Sequence, residues 1–105
     1  MKLKVIWSDF AEKQLDLIYE YYLLKISAAT AKKIAQNILS QTEILKDNPY
    51  LGQRENLLLN RKIEYHYLIY TNYKIIYSVD KQNGFVKIAD IFDSRQNPVK
   101  ITRRK

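Results

Sequence analysis

The stretch Ile63-Glu64-Tyr65-His66-Tyr67-Leu68-Ile69-Tyr70-Thr71-Asn72-Tyr73-Lys74-Ile75-Ile76-Tyr77-Ser78-Val79-Asp80 holds two runs rich in β-branched and aromatic residues, broken by Thr71-Asn72. That pattern predicts a β-hairpin with a two-residue turn. Asn tolerates positive φ, which suits a tight turn even where the usual Gly is missing. If Tyr70 and Tyr73 flank the turn, alternation places Glu64, His66, Leu68 and Tyr70 on one face with Tyr73, Ile75, Tyr77 and Val79. The other face carries Ile63, Tyr65, Tyr67 and Ile69 with Lys74, Ile76 and Ser78. Neither face is polar, so both need cover.

Downstream, Lys81-Gln82-Asn83-Gly84 is a second hairpin turn, because Asn-Gly suits the positive φ values of a tight connection. Residues 85–92 follow as a last strand, and Asp93-Ser94-Arg95-Gln96-Asn97-Pro98 ends the sheet. Upstream, Lys2-Leu3-Lys4-Val5-Ile6-Trp7 reads as a first strand, with Ser8 as N-cap of a helix running to about Lys25. Ala11, Leu15, Ile18, Tyr22 and Ile26 form its inward stripe, while Tyr21 and Leu24 lie off that stripe and point to a second surface. Ser27 caps a second helix whose stripe is Ala31, Ile34, Ala35, Ile38, Thr42 and Leu45, expected to fail near Asp47-Asn48 ahead of Pro49. The connector from Gln53 to Asn60 contains Leu57-Leu58-Leu59, a short edge piece at most. The expected fold is α+β, in the order β-α-α-β-β-β, an antiparallel sheet with an N-terminal helical hairpin packed on one face.

At 105 residues the chain is expected to form one domain, with about 99–105 as a basic, mobile tail. It has no cysteine, which excludes disulfides and thiolate chemistry. No glycine-rich phosphate loop is possible around Gly52 and Gly84, and no His, Asp and Glu cluster has metal-ligand spacing. No signal peptide order is visible and no run approaches the roughly 18 apolar residues of a membrane span, so the expected address is the cytoplasm. The net charge is +7, of which residues 54–105 carry +6. An anionic partner is the natural inference from that asymmetry.

Two helices can cover one sheet face, which leaves the face of Tyr65, Tyr67, Lys74 and Ser78 as the expected working surface. Aromatic rings beside cations hold single-stranded nucleic acid by stacking and charge. Arg95, just past the last strand, is placed to reach phosphate or carboxylate; its alternative role is an ion pair with Asp93 or Asp90. Arg61, Lys62, Lys100, Arg103 and Arg104 complete the cationic set. His66 falls on the helix side, as a packed residue.

The element order, the strand Tyr73-Lys74-Ile75-Ile76-Tyr77, the turn Asn48-Pro49-Tyr50-Leu51-Gly52 and the ending Asp93-Ser94-Arg95-Gln96-Asn97-Pro98 together resemble the RelE/ParE family of bacterial toxins. The resemblance runs from Val5 to Pro98. It implies a cytoplasmic toxin of a type II toxin–antitoxin pair, associated with growth inhibition and plasmid stabilization. It further implies a cognate antitoxin in a hetero-oligomer and no cofactor. RelE-like members are metal-independent, ribosome-dependent mRNA endoribonucleases, whereas ParE-like members poison DNA gyrase and are not enzymes. Lys74 and Arg95 fall where the ribonuclease branch has basic residues. The two lysines of the preceding strand, however, align with Tyr65 and Tyr67, and near the place of the terminal tyrosine stands Ile101. Cleavage through a 2′-hydroxyl needs proton transfer, which contributes about 10²–10⁴-fold. The ParE-like branch is therefore favoured, with Lys74, Arg95, Tyr65 and Tyr67 as the catalytic candidates of the RelE-like alternative. A non-toxic nucleic-acid-binding relative is the second alternative.

Overall fold

The structure is a computed structural model and describes residues 2–55 and 63–95. Strand β1 (Lys4–Trp7) passes through Ser8 into helix α1 (Asp9–Lys25). The Ser8 hydroxyl accepts the Ala11 N–H at 3.0 Å, and Asp9 and Glu12 occupy the first turn, where the helix dipole favours negative charge. Ser27 caps helix α2 (Ala28–Glu43) in the same way, accepting from the Thr30 N–H at 3.1 Å. With Ile26 and Ser27 as the whole link, α2 folds back on α1. Regular helix stops at Glu43 and tightens into a 3-10 turn over Ile44–Lys46, short of the expected end. Pro49 forbids continuation, and the narrower turn lets Asp47 and Asn48 both donate to the Ile44 carbonyl.

The remaining strands among the described residues are β2 (Gln53–Arg54), β3 (Tyr65–Tyr70), β4 (Tyr73–Asp80) and β5 (Phe85–Asp93). The sheet order is β1-β5-β4-β3-β2. The α+β class and the helical hairpin on one face are those expected. The sheet is mixed, however, because β1 lies parallel to β5 while every other pair is antiparallel. Side-chain alternation fixes which residues face in, but not which strand becomes the neighbour. The chain crosses one face through α1 and α2, and the strand that returns beside β1 is the last one. The edge pairing upstream is Gln53–Arg54 with β3, whereas Leu57-Leu58-Leu59 falls outside the described residues.

Register in the central hairpin is unbroken from Tyr70↔Tyr73 to Tyr65↔Ser78, so the expected face assignment holds. Between β4 and β5 the pairing shifts from Ile76↔Asp90 to Tyr77↔Ile88, which leaves Ala89 as the extra residue of a bulge. That extra residue allows Ile88 and Ile91, three apart, both to enter the core beneath the helices. Ile38 and Leu45 meet Ile75, Tyr77 and Val86 there, all without solvent exposure. Tyr77 is the largest fully buried side chain among the described residues, and its hydroxyl accepts the Gly52 N–H at 2.9 Å. Burial raises the Tyr77 phenol above its ordinary pKa, against the opposing effect of the Gly52 bond.

Gly52 is required by this approach: a Cβ there would overlap the Tyr67 carbonyl and stand 2.7 Å from the Tyr77 hydroxyl. The hairpin turn places its positive φ, 53°, on Thr71 rather than on Asn72. Left-handed backbone is costly for a β-branched residue. Two opposite changes in urea-unfolding stability are expected. Gly52→Ala lowers it by about 1–3 kcal/mol through overpacking. Thr71→Gly raises it by roughly 0.5–1 kcal/mol as strain is relieved against the entropy of a freer unfolded chain.

Candidate functional site

On the sheet face away from the helices, β4 presents Lys74, Ile76 and Ser78, β3 presents Tyr65 and Tyr67, and β5 presents Asp90 and Phe92. The expectation of a bare face is corrected by what covers it. Ile76 and Phe92 are buried against Tyr65, Tyr67 and Ala89 in a second, smaller apolar cluster. The Glu55 N–H donates to the Tyr65 carbonyl at 2.8 Å, which continues the β2 edge pairing by one residue. The Glu55 carboxylate is 3% exposed and lies 2.6 Å from the Lys74 ammonium. The same ammonium sits 4.2 Å from the centre of the Tyr67 ring, and the Tyr67 hydroxyl donates to Gln53 Oε1 at 3.0 Å. Sequence reading located Lys74, Tyr65 and Tyr67 on one surface. It missed Glu55, because the pairing that delivers this carboxylate comes from a two-residue strand too short to register as periodicity.

Arg95 is held at the other end of the sheet. Its Nε and Nη2 donate to the Asp93 carboxylate at 3.0 and 2.7 Å, and its backbone N–H adds a bond to the same group at 2.9 Å. The ion-pair alternative for Arg95 is thus the arrangement observed. Hydrogen bonds from Arg95 hold the Asp93 carboxyl well below the usual carboxylate range, and the guanidinium is raised in turn. The Ser94 N–H and hydroxyl both donate to the Asn72 carbonyl, at 2.7 and 2.8 Å, which ties the end of β5 to the β3–β4 turn.

Arg95 nonetheless borders a groove. Between α1 and the β4–β5 end of the sheet lies a cavity of about 570 Å³, lined among others by Leu17, Tyr21, Tyr22, Tyr73, Asp93 and Arg95. At its floor the Tyr73 hydroxyl donates to the Tyr22 hydroxyl at 3.2 Å. Burial, reinforced by that bond, pushes the Tyr73 phenol far above its ordinary pKa, so it remains a neutral donor. On the helix side its lining includes Leu17 and Tyr21, 49 and 55% exposed, and Leu24, 75% exposed, continues that apolar flank of α1 beyond the cavity. Tyr21 and Leu24 are the residues whose position off the inward stripe pointed to a second surface. The Tyr22–Tyr73 pair escaped sequence reading, since both residues scan as ordinary core positions.

His66 packs on the helix side, as expected. Its ring stacks on Tyr77 with centroids 5.6 Å apart, and Nε2 lies 2.9 Å from the Glu64 carboxylate. Arg61, Lys62, Lys100, Arg103 and Arg104 lie outside the described residues, as does Ile101.

The model for the ParE toxin of type II toxin–antitoxin systems, parDE, matches residues 5–98. Solved structures share the fold, three of them as follows. A chain of the chromosomal ParDE toxin–antitoxin system from P. aeruginosa superposes with a TM-score of 0.71 at 20% identity, covering 88% of this chain and 96% of that one. A chain of the RelBE2 toxin–antitoxin complex from Mycobacterium tuberculosis gives 0.63 at 14% identity, with coverages of 89% and 99%. The YoeB dimer from Staphylococcus aureus gives 0.53 at 22% identity, with coverages of 86% and 94%. No match was found among curated proteins.

The hydroxyl pair on the groove floor has a measurable signature. Tyr22→Phe and Tyr73→Phe should each lower urea-unfolding stability by about 1 kcal/mol. The double variant should lose less than the sum, because either change alone already breaks the bond.

Proposed function

The chain belongs to the ParE toxin family of type II toxin–antitoxin systems, and from that premise we propose that it arrests growth by binding DNA gyrase and is silenced by a cognate antitoxin. The observation that carries this reading is the engagement of both cations that strand cleavage would use. Lys74 is closed onto Glu55, and Arg95 is closed onto Asp93. Cleavage through a 2′-hydroxyl requires a proton acceptor and donors aimed at a phosphate gaining negative charge. Here Tyr67 directs its hydroxyl to Gln53 and its ring to Lys74. Such an arrangement favours a protein that acts by occupying its target.

The groove beside α1 suits the antitoxin. An amphipathic segment can lay apolar side chains against Leu17, Tyr21 and Leu24 at helical spacing, and reach Asn72 and Arg95 with polar ones. Exposed aromatic and arginine side chains around a concave floor are the usual anchors of a tight interface. Toxin and antitoxin then form a hetero-oligomer in the cytoplasm.

Induced expression without the antitoxin is expected to stop growth, and purified protein is expected to inhibit supercoiling by gyrase. Primer extension on cellular mRNA should show no new codon-linked ends. Such ends, with supercoiling untouched, would replace this reading by the endoribonuclease one. Arg95→Ala should fold normally and require about tenfold more protein for the same inhibition, the equivalent of about 1.4 kcal/mol in binding. Unchanged potency would remove Arg95 from the binding surface.

A further inference from the structure

The turn that joins β4 to β5 carries a chemically reactive pair. Of the seven asparagines in the chain only Asn83 is followed by glycine. An asparagine side chain condenses with the next backbone nitrogen, and a glycine at that next position leaves the approach unhindered. Asn83 is exposed. Apart from its chain neighbours, no heavy atom lies within 4 Å of where a side chain on Gly84 would stand, so water reaches the pair. Both reacting groups are nevertheless tied to one residue. The Asp80 carbonyl accepts the Gly84 N–H at 2.9 Å. The Asp80 carboxylate accepts the Asn83 side-chain amide at 3.0 Å through one oxygen and the Asn83 backbone N–H at 3.1 Å through the other. Lys87 holds the same carboxylate from β5 at 3.3 Å. Hydrogen bonds from Asn83 lower the pKa of Asp80, which keeps this group an anion.

We propose that Asn83–Gly84 is a site of spontaneous deamidation and that Asp80 sets its rate. The step begins when hydroxide takes the Gly84 amide proton. The freed nitrogen attacks Asn83 Cγ, a cyclic imide closes, and the side-chain nitrogen leaves as ammonia with a proton from water. Water then opens the ring at either carbonyl, which gives aspartate or isoaspartate. Asp80 opposes each stage. Its carbonyl bond to the Gly84 N–H has to break before that proton is lost. Its carboxylate retains the departing amide nitrogen, and its negative charge lies beside the place where hydroxide approaches and oxyanion charge builds. The product loosens the turn. A carboxylate at position 83 sets a like charge against Asp80 where a donor stood at 3.0 Å, and isoaspartate lengthens the backbone by a methylene. The Gly84 carbonyl accepts the Lys4 N–H at 2.9 Å, so the damage reaches β1 as well as β4, the two strands beside β5. The chain thus carries a chemical lifetime of its own, longer folded than unfolded. That lifetime does not depend on what the toxin binds, because the turn lies at the far end of β4 from the α1 groove.

The test is to age the full chain in mildly alkaline buffer and follow the Asn83 peptide by mass spectrometry, with isoaspartate read by enzymatic methyl transfer. Asp80→Ala should speed the amide-to-acid mass shift at Asn83 about tenfold, the release of one hydrogen bond to a charged group, and leave the other asparagines unchanged. Unfolded in urea, the parent should react faster than when folded, and Asp80→Ala should then match it, since neither retains the turn. Asn83→Asp should lower the urea midpoint further than Asn83→Ser, which loses the amide without adding a charge. Equal rates for the folded parent and folded Asp80→Ala would overturn the proposal. So would an increase shared by the other asparagines, or no shift at Asn83 in either chain. Thermal melts establish that each variant is folded. If Asp80→Ala is not, Asp80→Glu moves the carboxylate by one methylene while keeping its charge, and should give a smaller increase of the same sign.

Discussion

Strand β4 has no solvent side, and the rest of the molecule is arranged around that constraint. Tyr73, Ile75 and Tyr77 are sealed by the helices, while Ile76 and Ser78 are sealed on the opposite face. A strand buried on both faces usually carries an unbroken apolar run. This one places Lys74 between Tyr73 and Ile75. A cation in that position needs a counter-charge, and the connector that pairs with the edge of β3 supplies one. Glu55 is therefore a consequence of β4: the two-residue strand Gln53–Arg54 fixes the connector, and the next residue delivers the carboxylate. Tyr77 holds the same connector from the other face through its bond to Gly52. One strand thus organises both the helix-side core and the closure of the opposite side.

Helix α1 meets a different demand. Its inward stripe, Ala11, Leu15, Ile18 and Tyr22, contributes to the core, and a second apolar stripe runs along its flank through Leu17, Tyr21 and Leu24. One helix cannot bury both stripes with α2 on one side and the sheet below. β1 also ends at Trp7, so among the described residues the half of β5 beyond Ile88 has no strand beside it on that margin. The exposed flank and this half-open margin border the same groove. That coincidence makes the groove a better partner surface than an isolated apolar patch would be, because a docked segment gains apolar contact and polar contact together.

The hairpin at Tyr65–Asp80, its register and its facing were legible because strict alternation and a two-residue turn leave little freedom. The two helices were legible from their Ser8 and Ser27 caps and their stripes. Three features were not. The parallel β1–β5 pairing depends on a neighbour eighty residues away, about which local pattern is silent. The bulge at Ala89 is a register event between strands, and no residue type in Lys87-Ile88-Ala89-Asp90-Ile91 announces it. The third concerns charge. Lys74 and Arg95 stand out in the sequence as cations, yet a sequence shows a cation without its partner. Asp93 was within reach of inspection, two residues from Arg95; Glu55 was not, being nineteen residues from Lys74 and beyond an irregular connector.

This pairing changes where attraction to an anionic partner can originate. Among the described residues twelve Lys and Arg stand against eleven Asp and Glu, so that part of the chain is close to neutral. The excess belongs by sequence to residues 56–62 and 96–105, which hold six cations and no acid. Long-range attraction depends on net charge and decays over a Debye length of roughly 8–10 Å, whereas recognition depends on groups fixed in geometry. By sequence that excess includes Arg61, Lys62, Lys100, Arg103 and Arg104. Lys74 and Arg95 lie 2.6 and 2.7 Å from carboxylates of the chain itself, so their charge is compensated locally and adds little to a long-range field.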